Sequence, residues 1–365
     1  MIIYVILCLL LLITILTAQR FNEKSRQIIF IFWSVILTVF VCLRECTVNI
    51  DYPVYKTLFT YTPKLSLFFN NPANYIDSLD VEVSYGLLCA YVKELNLSLH
   101  DSITLIFMIY ALIGVPIKLY AIKKISDIEF FTLFIYFCNL YLLHELTQIR
   151  AGIATGFILL SIIPLQKNEH KTFLFLIFIA GFFHTSAFMA VTLLLMKNRP
   201  NILTWGSICL FCIIVYITQI DITYPLKLIP IDYFQFKLEA YIDLQKREKF
   251  EINYLNIVFL IQIAVTFTCF FYQEKLYQSN QYINILMNMN CLSICCFFFF
   301  SQIPGFAYRI SEIFNCSVLF LIPLLSKIIK PKAMAEFLVI VIGVGIFFIN
   351  IFHSNLVTEY KFFWQ

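Results

Sequence analysis

The sequence predicts an all-α fold, a polytopic transmembrane helical bundle of about eleven spans, within a range of about ten to twelve. Composition is the first reason: of 365 residues, 61% are hydrophobic and only 13% charged, about half the charged share of soluble domains. Mean hydropathy is +0.85. The second reason is continuity. The apolar stretches do not alternate with polar residues as barrel strands would, and a continuous apolar segment satisfies its backbone in hydrocarbon only as a helix. A soluble enzyme with a tail anchor is excluded.

In chain order the candidate spans are residues 2–18, 28–43, 103–122, 129–144, 150–166, 171–196, 201–219, 254–272, 281–300, 309–328 and 333–352. The first has neither a preceding basic region nor a small-residue cleavage site, so it reads as a retained span. Basic residues in short loops set the orientation. Arg20, Lys24 and Arg26 mark the first loop as cytoplasmic, Lys118, Lys123 and Lys124 the third, and Lys167 and Lys171 the fifth. The alternation then puts the N-terminus, the region from Arg44 to Asp101 and the turn at His144 to Gln148 outside. Beyond that point two versions compete. If 171–196 crosses once, Lys197, Arg199 and the Lys327, Lys330, Lys332 cluster fall outside, against the charge rule. If it dips in and returns, folding at Gly181 to Thr185, both clusters are cytoplasmic and the loop at 220–253 is external. Short-loop charge favours this re-entrant version.

The whole of 1–365 is expected to form a single integral membrane domain with two long external loops. Residues 44–101 carry Asp51-Tyr52-Pro53-Val54-Tyr55, an Asn-Asn-Pro turn at 70–72, and an apolar piece near Val83 to Val92. That piece is too short to span and reads as an interfacial or re-entrant helix. Residues 220–253 mix Tyr224, Tyr233 and Tyr241 with Asp232, Glu239, Asp243, Arg247 and Lys249, which suits either a carbohydrate or headgroup surface or an interfacial aromatic belt. No internal repeat is visible. The formal charge of +4 is too small to imply nucleic acid. Most of the twelve cysteines lie in apolar runs, where the residue behaves as a small hydrophobe; even Cys209 and Cys212, a C-x-x-C by spelling, have no turn or second pair beside them.

The most informative stretch is His144-Glu145-Leu146-Thr147-Gln148-Ile149-Arg150, followed by Ala151-Gly152-Ile153-Ala154-Thr155-Gly156. Gly152 and Gly156 form G-x-x-x-G, which lets helices approach closely, so Arg150 is expected to face protein. Its forked donors match phosphate oxygens, and a phosphate or pyrophosphate ligand explains its place; snorkelling to the interface is the plainer alternative. His184, in Gly181-Phe182-Phe183-His184-Thr185-Ser186-Ala187, lies in an apolar run away from the loops. It can accept a proton from a sugar hydroxyl near neutral pH or sit neutral in a hydrogen bond between helices. Arg309 and Glu312 stand three residues apart at a span mouth and can bind substrate or simply pair. Arg44, Glu45, Asp51 and Glu82 border the first external loop, where a carboxylate can serve as base or bind sugar hydroxyls, with solvated surface as the plainer alternative for each alone. No nucleotide-binding G-x-x-x-x-G-K-[ST], no H-E-x-x-H and no G-x-S-x-G is present.

With Gln148-Ile149-Arg150-Ala151, a basic short loop, and Phe183-His184-Thr185-Ser186-Ala187, the sequence resembles the EpsG-like family of bacterial polysaccharide polymerases, relatives in function of the Wzy-type O-antigen polymerases. Asp51-Tyr52-x-x-Tyr55, Glu82 and Arg309 look like the family's upstream tyrosine motif, acidic position and late arginine. The resemblance implies a glycosyltransferase of the bacterial cytoplasmic (inner) membrane with its active site facing outward. It would pass a growing glycan from undecaprenyl pyrophosphate to a lipid-linked repeat unit, building O-antigen lipopolysaccharide or exopolysaccharide. On that basis His184, Arg150, Glu82 and Asp51 are the expected catalytic residues, and Arg44, Tyr52, Tyr55, Gln148, Arg309 and Glu312 the expected substrate-binding ones. No cofactor or metal is expected where arginines neutralise the leaving group. The implied partners are the lipid-linked oligosaccharides, membrane lipid, a chain-length regulator and a flippase, with no nucleic acid. A lipid-linked oligosaccharide flippase or other transporter is the main competing class, although the paired repeats and midplane-broken helices it would favour are not evident in the sequence. Another membrane glycosyl- or acyltransferase would share much of the layout.

Overall fold

The computed structural model describes residues 1–18, 20–70, 81–228, 232–248 and 252–364. They are mostly helical, with two isolated antiparallel bridges at Arg44–Phe362 and Asn49–Val357, and pack as two compact units, one comprising Met1–Phe188 with Ile322–Gln365 and the other Met189–Leu321.

In the first unit α1 (Ile2–Ala18) buries Tyr4, Leu7, Leu11 and Ile15. The Asn22 side chain accepts the Ser25 N–H at 2.9 Å and starts α2 (Glu23–Cys42). The segment after α2 then forms α3 (Tyr52–Tyr61), opened by Asp51 and Pro53, α4 (Leu65–Asn70) and α5 (Val83–Glu94). From Asn71 on, the Asn-Asn-Pro turn expected at 70–72 lies outside the described residues. The piece expected as an interfacial or re-entrant helix is α5, which buries Tyr85, Gly86, Cys89, Ala90 and Val92 against its neighbours. Ser98 caps α6 (Leu99–Ile125), whose 27 residues extend about 40 Å, enough to cross a bilayer core of about 30 Å with room to spare. Next come α7 (Glu129–Tyr136), which continues as wider π-helical turns over Phe137–Glu145, then α8 (Ile149–Gln166) and α9 (His170–Phe183).

Glycine sets the spacing between α8 and its neighbours. A Cβ at Gly152 would lie 2.9 Å from the His144 carbonyl oxygen, and one at Gly156 would lie 2.9 Å from the Ile117 side chain on α6. The close approach expected of G-x-x-x-G is therefore present. Helix α9 has only 14 residues, about 21 Å of rise, and stops at His184, whose backbone is extended. The Phe188 ring then packs onto Gly181, where a side chain would have no room. This break falls inside the expected folding point at Gly181 to Thr185.

The second unit holds α10 (Ile202–Thr218), α11 (Thr223–Lys227), α12 (Asp232–Glu248), α13 (Ile257–Phe271), α14 (Gln273–Ser279), α15 (Ile283–Phe299) and α16 (Pro304–Asn315). Amide side chains join its helices. Asn288 accepts from the Trp205 indole at 2.8 Å and donates to the Met196 and Asn198 carbonyls, and Gln262 donates to Asn290 at 2.9 Å. The chain returns through α17 (Val318–Ile328) to α18 (Lys332–Phe348), extended by π-helical turns at Ile349–His353.

Each of the eleven apolar stretches is helical in whole or in large part, but among the described residues only four helices are individually long and apolar enough to span: α2, α6, α8 and α18 with its extension. Counting two bent helix pairs as single spans raises this to six. Part of the difference comes from breaks, one of them at the expected folding point, and part from shorter unbroken helices such as α1, α10 and α15, with 17 residues each. The bend of 86° between α13 and α14 comes where the apolar run meets Gln273-Glu274-Lys275, which reads as an elbow turning into the polar interface.

Ion pairs mark one end of the first unit. Arg26 binds Glu129 at 2.8 Å, Lys123 lies 3.5 Å from the same carboxylate, and Lys327 reaches Asp127 at 3.1 Å. Lys327 thus shares its end with Arg26 and Lys123 of the first and third loops. In a cysteine-depleted background, Lys330→Cys is expected to label with an impermeant thiol reagent only after the membrane is opened, whereas Asn96→Cys, before α6, labels in intact cells. Labelling of both from outside would overturn this arrangement.

At the turn between α7 and α8, the Glu145 carboxylate pairs with Lys118 of α6 and accepts the Tyr136 hydroxyl at 2.9 Å, while its backbone carbonyl accepts from Arg44. Lys118 is 0% exposed and Glu145 3%. Removing one partner of such a pair strands a buried charge, at a cost of about 3–5 kcal/mol, whereas removing both is far milder. Lys118→Met is therefore expected to lower the unfolding midpoint in detergent sharply, and Lys118→Met with Glu145→Gln to recover most of the loss. A double variant no better than the single would show that the charges are not coupled.

Candidate active site

Three elements distant in sequence converge on one carboxylate. Glu82 immediately precedes α5, Arg150 lies in the first turn of α8, and His184 stands where α9 ends. Oε2 of Glu82 accepts from Nη1 of Arg150, and Oε1 pairs with Nδ1 of His184 at 2.9 Å. Glu82 is 9% exposed and His184 8% at their side chains, with Arg150 the most open of the three at 17%. Burial alone would raise the Glu82 pKa, but the Arg150 charge and the His184 hydrogen bond overcome it and hold the group well below the usual carboxylate range. Glu82 is thus ionised at any physiological pH.

Aromatic rings line the arginine. Its guanidinium carbon is 5.5 Å from the Tyr55 ring centre and 5.8 Å from that of Tyr85, within cation–π range. The Tyr85 hydroxyl donates to the Tyr55 carbonyl at 3.3 Å, and the Ser84 and Tyr110 hydroxyls are 3.3 Å apart. Burial pushes the Tyr55 and Tyr85 hydroxyls above their ordinary pKa, so both remain neutral. Nε of Arg150 is buried without a hydrogen-bond partner. A guanidinium has five N–H donors, so one that a carboxylate holds through Nη1 keeps others with which to meet an anion.

The carboxylate fixes the imidazole by its Nδ1 side. Among the described residues no protein group engages Nε2. With Nδ1–H donated to Glu82, Nε2 carries a lone pair and can accept a proton, the division of labour of a carboxylate–histidine pair.

The structure therefore brings together Glu82, Arg150, His184 and Tyr55 of the expected set. Asp51 begins α3 one turn before Tyr55, whose N–H donates to the Asp51 carbonyl at 3.1 Å. Gln148 precedes α8 and its carbonyl accepts the Gly152 N–H at 2.9 Å. Tyr52 turns toward the Cys46 thiol. Arg44, expected to bind substrate, is 1% exposed, donates to the Glu145 carbonyl and lies over the Phe107 ring, so its place is inside the fold. Arg309 and Glu312 belong to the second unit, where Arg309 sits 5.0 Å from the Tyr241 ring centre. Tyr85 and Tyr110 were missed in the sequence. Tyr85, three residues after Glu82 on a helix, carries a spacing signal; Tyr110, inside an apolar span, carries none.

A family model matches residues 27–363, nearly the full length, and so covers both units and all three central residues. The chain belongs to the EpsG family. No curated protein and no solved structure matches it. EpsG membership and the apolar helices together fit a polysaccharide polymerase-like membrane protein.

Shortening the EpsG-family chain's central carboxylate tests the geometry. Glu82→Asp keeps the charge that Arg150 requires but draws the carboxylate back by one methylene, so it cannot meet both partners. Glycan polymer in a complementation assay is expected to fall about 10²-fold at unchanged membrane abundance, the scale of a displacement of about 1 Å. A full polymer ladder from Glu82→Asp would reduce Glu82 to packing.

Proposed function

We propose that this chain is a polysaccharide polymerase of the bacterial cytoplasmic membrane. It transfers a growing glycan from undecaprenyl pyrophosphate to a sugar hydroxyl of a lipid-linked repeat unit at the outer face. The observation that carries the reading is the Glu82 carboxylate held between Arg150 and His184, in a chain of the EpsG family. Nε2 of His184 takes the acceptor proton, and the acceptor oxygen forms the new bond to the anomeric carbon. The bond from that carbon to the pyrophosphate oxygen breaks, and lipid pyrophosphate leaves with the electron pair. Glu82 orients and stabilises the imidazolium; Arg150, the most exposed of the three side chains, meets the pyrophosphate, so the transfer itself needs no metal. Tyr55 and Tyr85 offer neutral hydroxyls and rings suited to sugar faces. Lipid-linked donor and acceptor enter from the bilayer, and a chain-length regulator and a flippase are the proposed partners.

The second reading, a lipid-linked oligosaccharide flippase, draws on the helix breaks at His184 and Tyr272. Deletion separates the two. Loss of a polymerase leaves single repeat units on the outer face, whereas loss of a flippase leaves none there.

Two substitutions test the roles. His184→Gln preserves a hydrogen-bonding side chain but not the base, and is expected to lower transfer by about 10² or more at normal abundance. Near-normal polymer would remove His184 from the mechanism and leave Glu82 or Asp51 as base. Arg150→Lys substitutes a point charge for the fork, so most polymer is expected to be lost while the protein still inserts; a full ladder would make Arg150 only an anchor.

A further inference from the structure

We propose that Glu45, Cys46 and His100 form a binding site for a divalent transition metal of zinc's character, which ties the turn after α2 to the start of α6. Cys46 opens a short 3-10 turn at Cys46–Val48, Glu45 precedes it, and His100 lies in the first turn of α6. One ligand atom from each lies within 4.8 Å of the other two. Nε2 of His100 is 3.0 Å and Sγ of Cys46 is 3.8 Å from Oε1 of Glu45. A tetrahedron of ligands at about 2.0–2.3 Å from zinc has edges of about 3.3–3.8 Å, so the donors are already close to the required separations.

The surroundings resemble the outer shell of a metal site more than an isolated ion pair. The second oxygen of Glu45 is occupied by the Thr47 hydroxyl, which leaves Oε1 aimed at the cluster. Nδ1 of His100, the ring nitrogen not turned to Glu45, lies 3.7 Å from Oδ1 of Asp101, near enough for electrostatic attraction. The Thr104 hydroxyl is buried and turned toward Cys46 yet finds no partner of ordinary hydrogen-bond geometry. Cys46 is fully buried, Glu45 is 12% exposed at its side chain and His100 is 44%, so the fourth position opens to water.

Sulfur, nitrogen and oxygen donors together suit Zn2+ rather than Ca2+ or Mg2+, which take oxygen alone. A thiolate and a carboxylate balance the two positive charges, and the thiol proton goes to water on binding. The backbone is prepared for the load. Glu45 N–H donates to the Lys361 carbonyl at 2.9 Å, and Asn49 N–H to the Cys46 carbonyl at 3.2 Å. The Asn49 side chain in turn donates to the Thr147 carbonyl at 3.0 Å, three residues before Arg150. The metal would brace the wall of the active site from behind without touching the reacting atoms.

The test uses the full chain, purified in detergent through a tag that does not bind metal, and equilibrated with chelator-buffered Zn2+. About one zinc per chain is expected by elemental analysis. Co2+ in its place should give a sulfur-to-cobalt charge-transfer band. Both signals should be lost in Cys46→Ser and in His100→Ala and retained in Cys209→Ser/Cys212→Ser, which controls for the other thiols. If Cys46→Ser does not fold, His100→Ala, at a half-exposed position, decides alone. Substoichiometric zinc in the wild type, or zinc that survives His100→Ala, would overturn the proposal. Because the readout is metal and not polymer, the result is independent of the proposed transfer reaction.

Discussion

Charges buried in apolar surroundings survive only where they are paired, and the turn between α7 and α8 is built on that constraint. Glu145 points inward toward Lys118 and Tyr136, and its own carbonyl receives Arg44. Gly114 makes this possible, since a Cβ there would sit 2.9 Å from the Glu145 carboxylate. Widened turns over Phe137–Glu145 bring the chain to this point, and Asn49 and Thr147 close the corner through their hydrogen bonds to Thr147 and Leu356 carbonyls. The first turn of α8 begins directly afterwards. The direction in which Arg150 leaves the backbone thus follows from charge pairing elsewhere in the same unit.

The carboxylate at Glu82 repeats the principle with a different result. Here the positive partners are an arginine of fixed charge and a histidine able to exchange a proton. The arginine keeps the carboxylate ionised, and the carboxylate keeps the histidine oriented. A group that only bound pyrophosphate would not need Glu82, and a purely structural ion pair would not need His184 with Nε2 unengaged among the described residues. The three side chains together suit a reaction in which a proton is removed on one side while negative charge gathers on the other.

Legibility in the sequence followed the range of each signal. Apolar runs are local, and all eleven correspond to helices; Gly152 and Gly156 announced the tight packing of α8 correctly. Arg150 and His184 stood out because ionisable residues are rare at such positions, and Glu82 because it borders the same outer segment. What could not be read was long-range pairing. Nothing local distinguishes Arg44, held in the interior, from Arg150, whose edge is partly open, because both flank apolar spans. Lys118 read as a cytoplasmic loop residue beside Lys123 and Lys124, yet one turn or two of helix separates a fully buried pair from exposed ends. The break at His184 was legible, because the charge pattern asked 171–196 to fold at Gly181 to Thr185, but the bend at Tyr272 escaped, since hydropathy registers composition and not direction.

The end of α9 shows why such a break is tolerable. A helix that stops within an apolar layer exposes carbonyls that hydrocarbon cannot satisfy, so irregular backbone persists there only when protein encloses it. The His184 N–H donates to the Ala180 carbonyl at 2.9 Å, and the His184 carbonyl accepts from Ala187 at the same distance. The side chain, released from helical direction by an extended backbone, reaches Glu82. Continuing the helix through residue 184 would satisfy the backbone equally well but would turn the imidazole along the helix face. The break is therefore the means by which an apolar segment presents an imidazole to a carboxylate on another element, and Gly181 permits it by letting Phe188 fold against the helix it has just left.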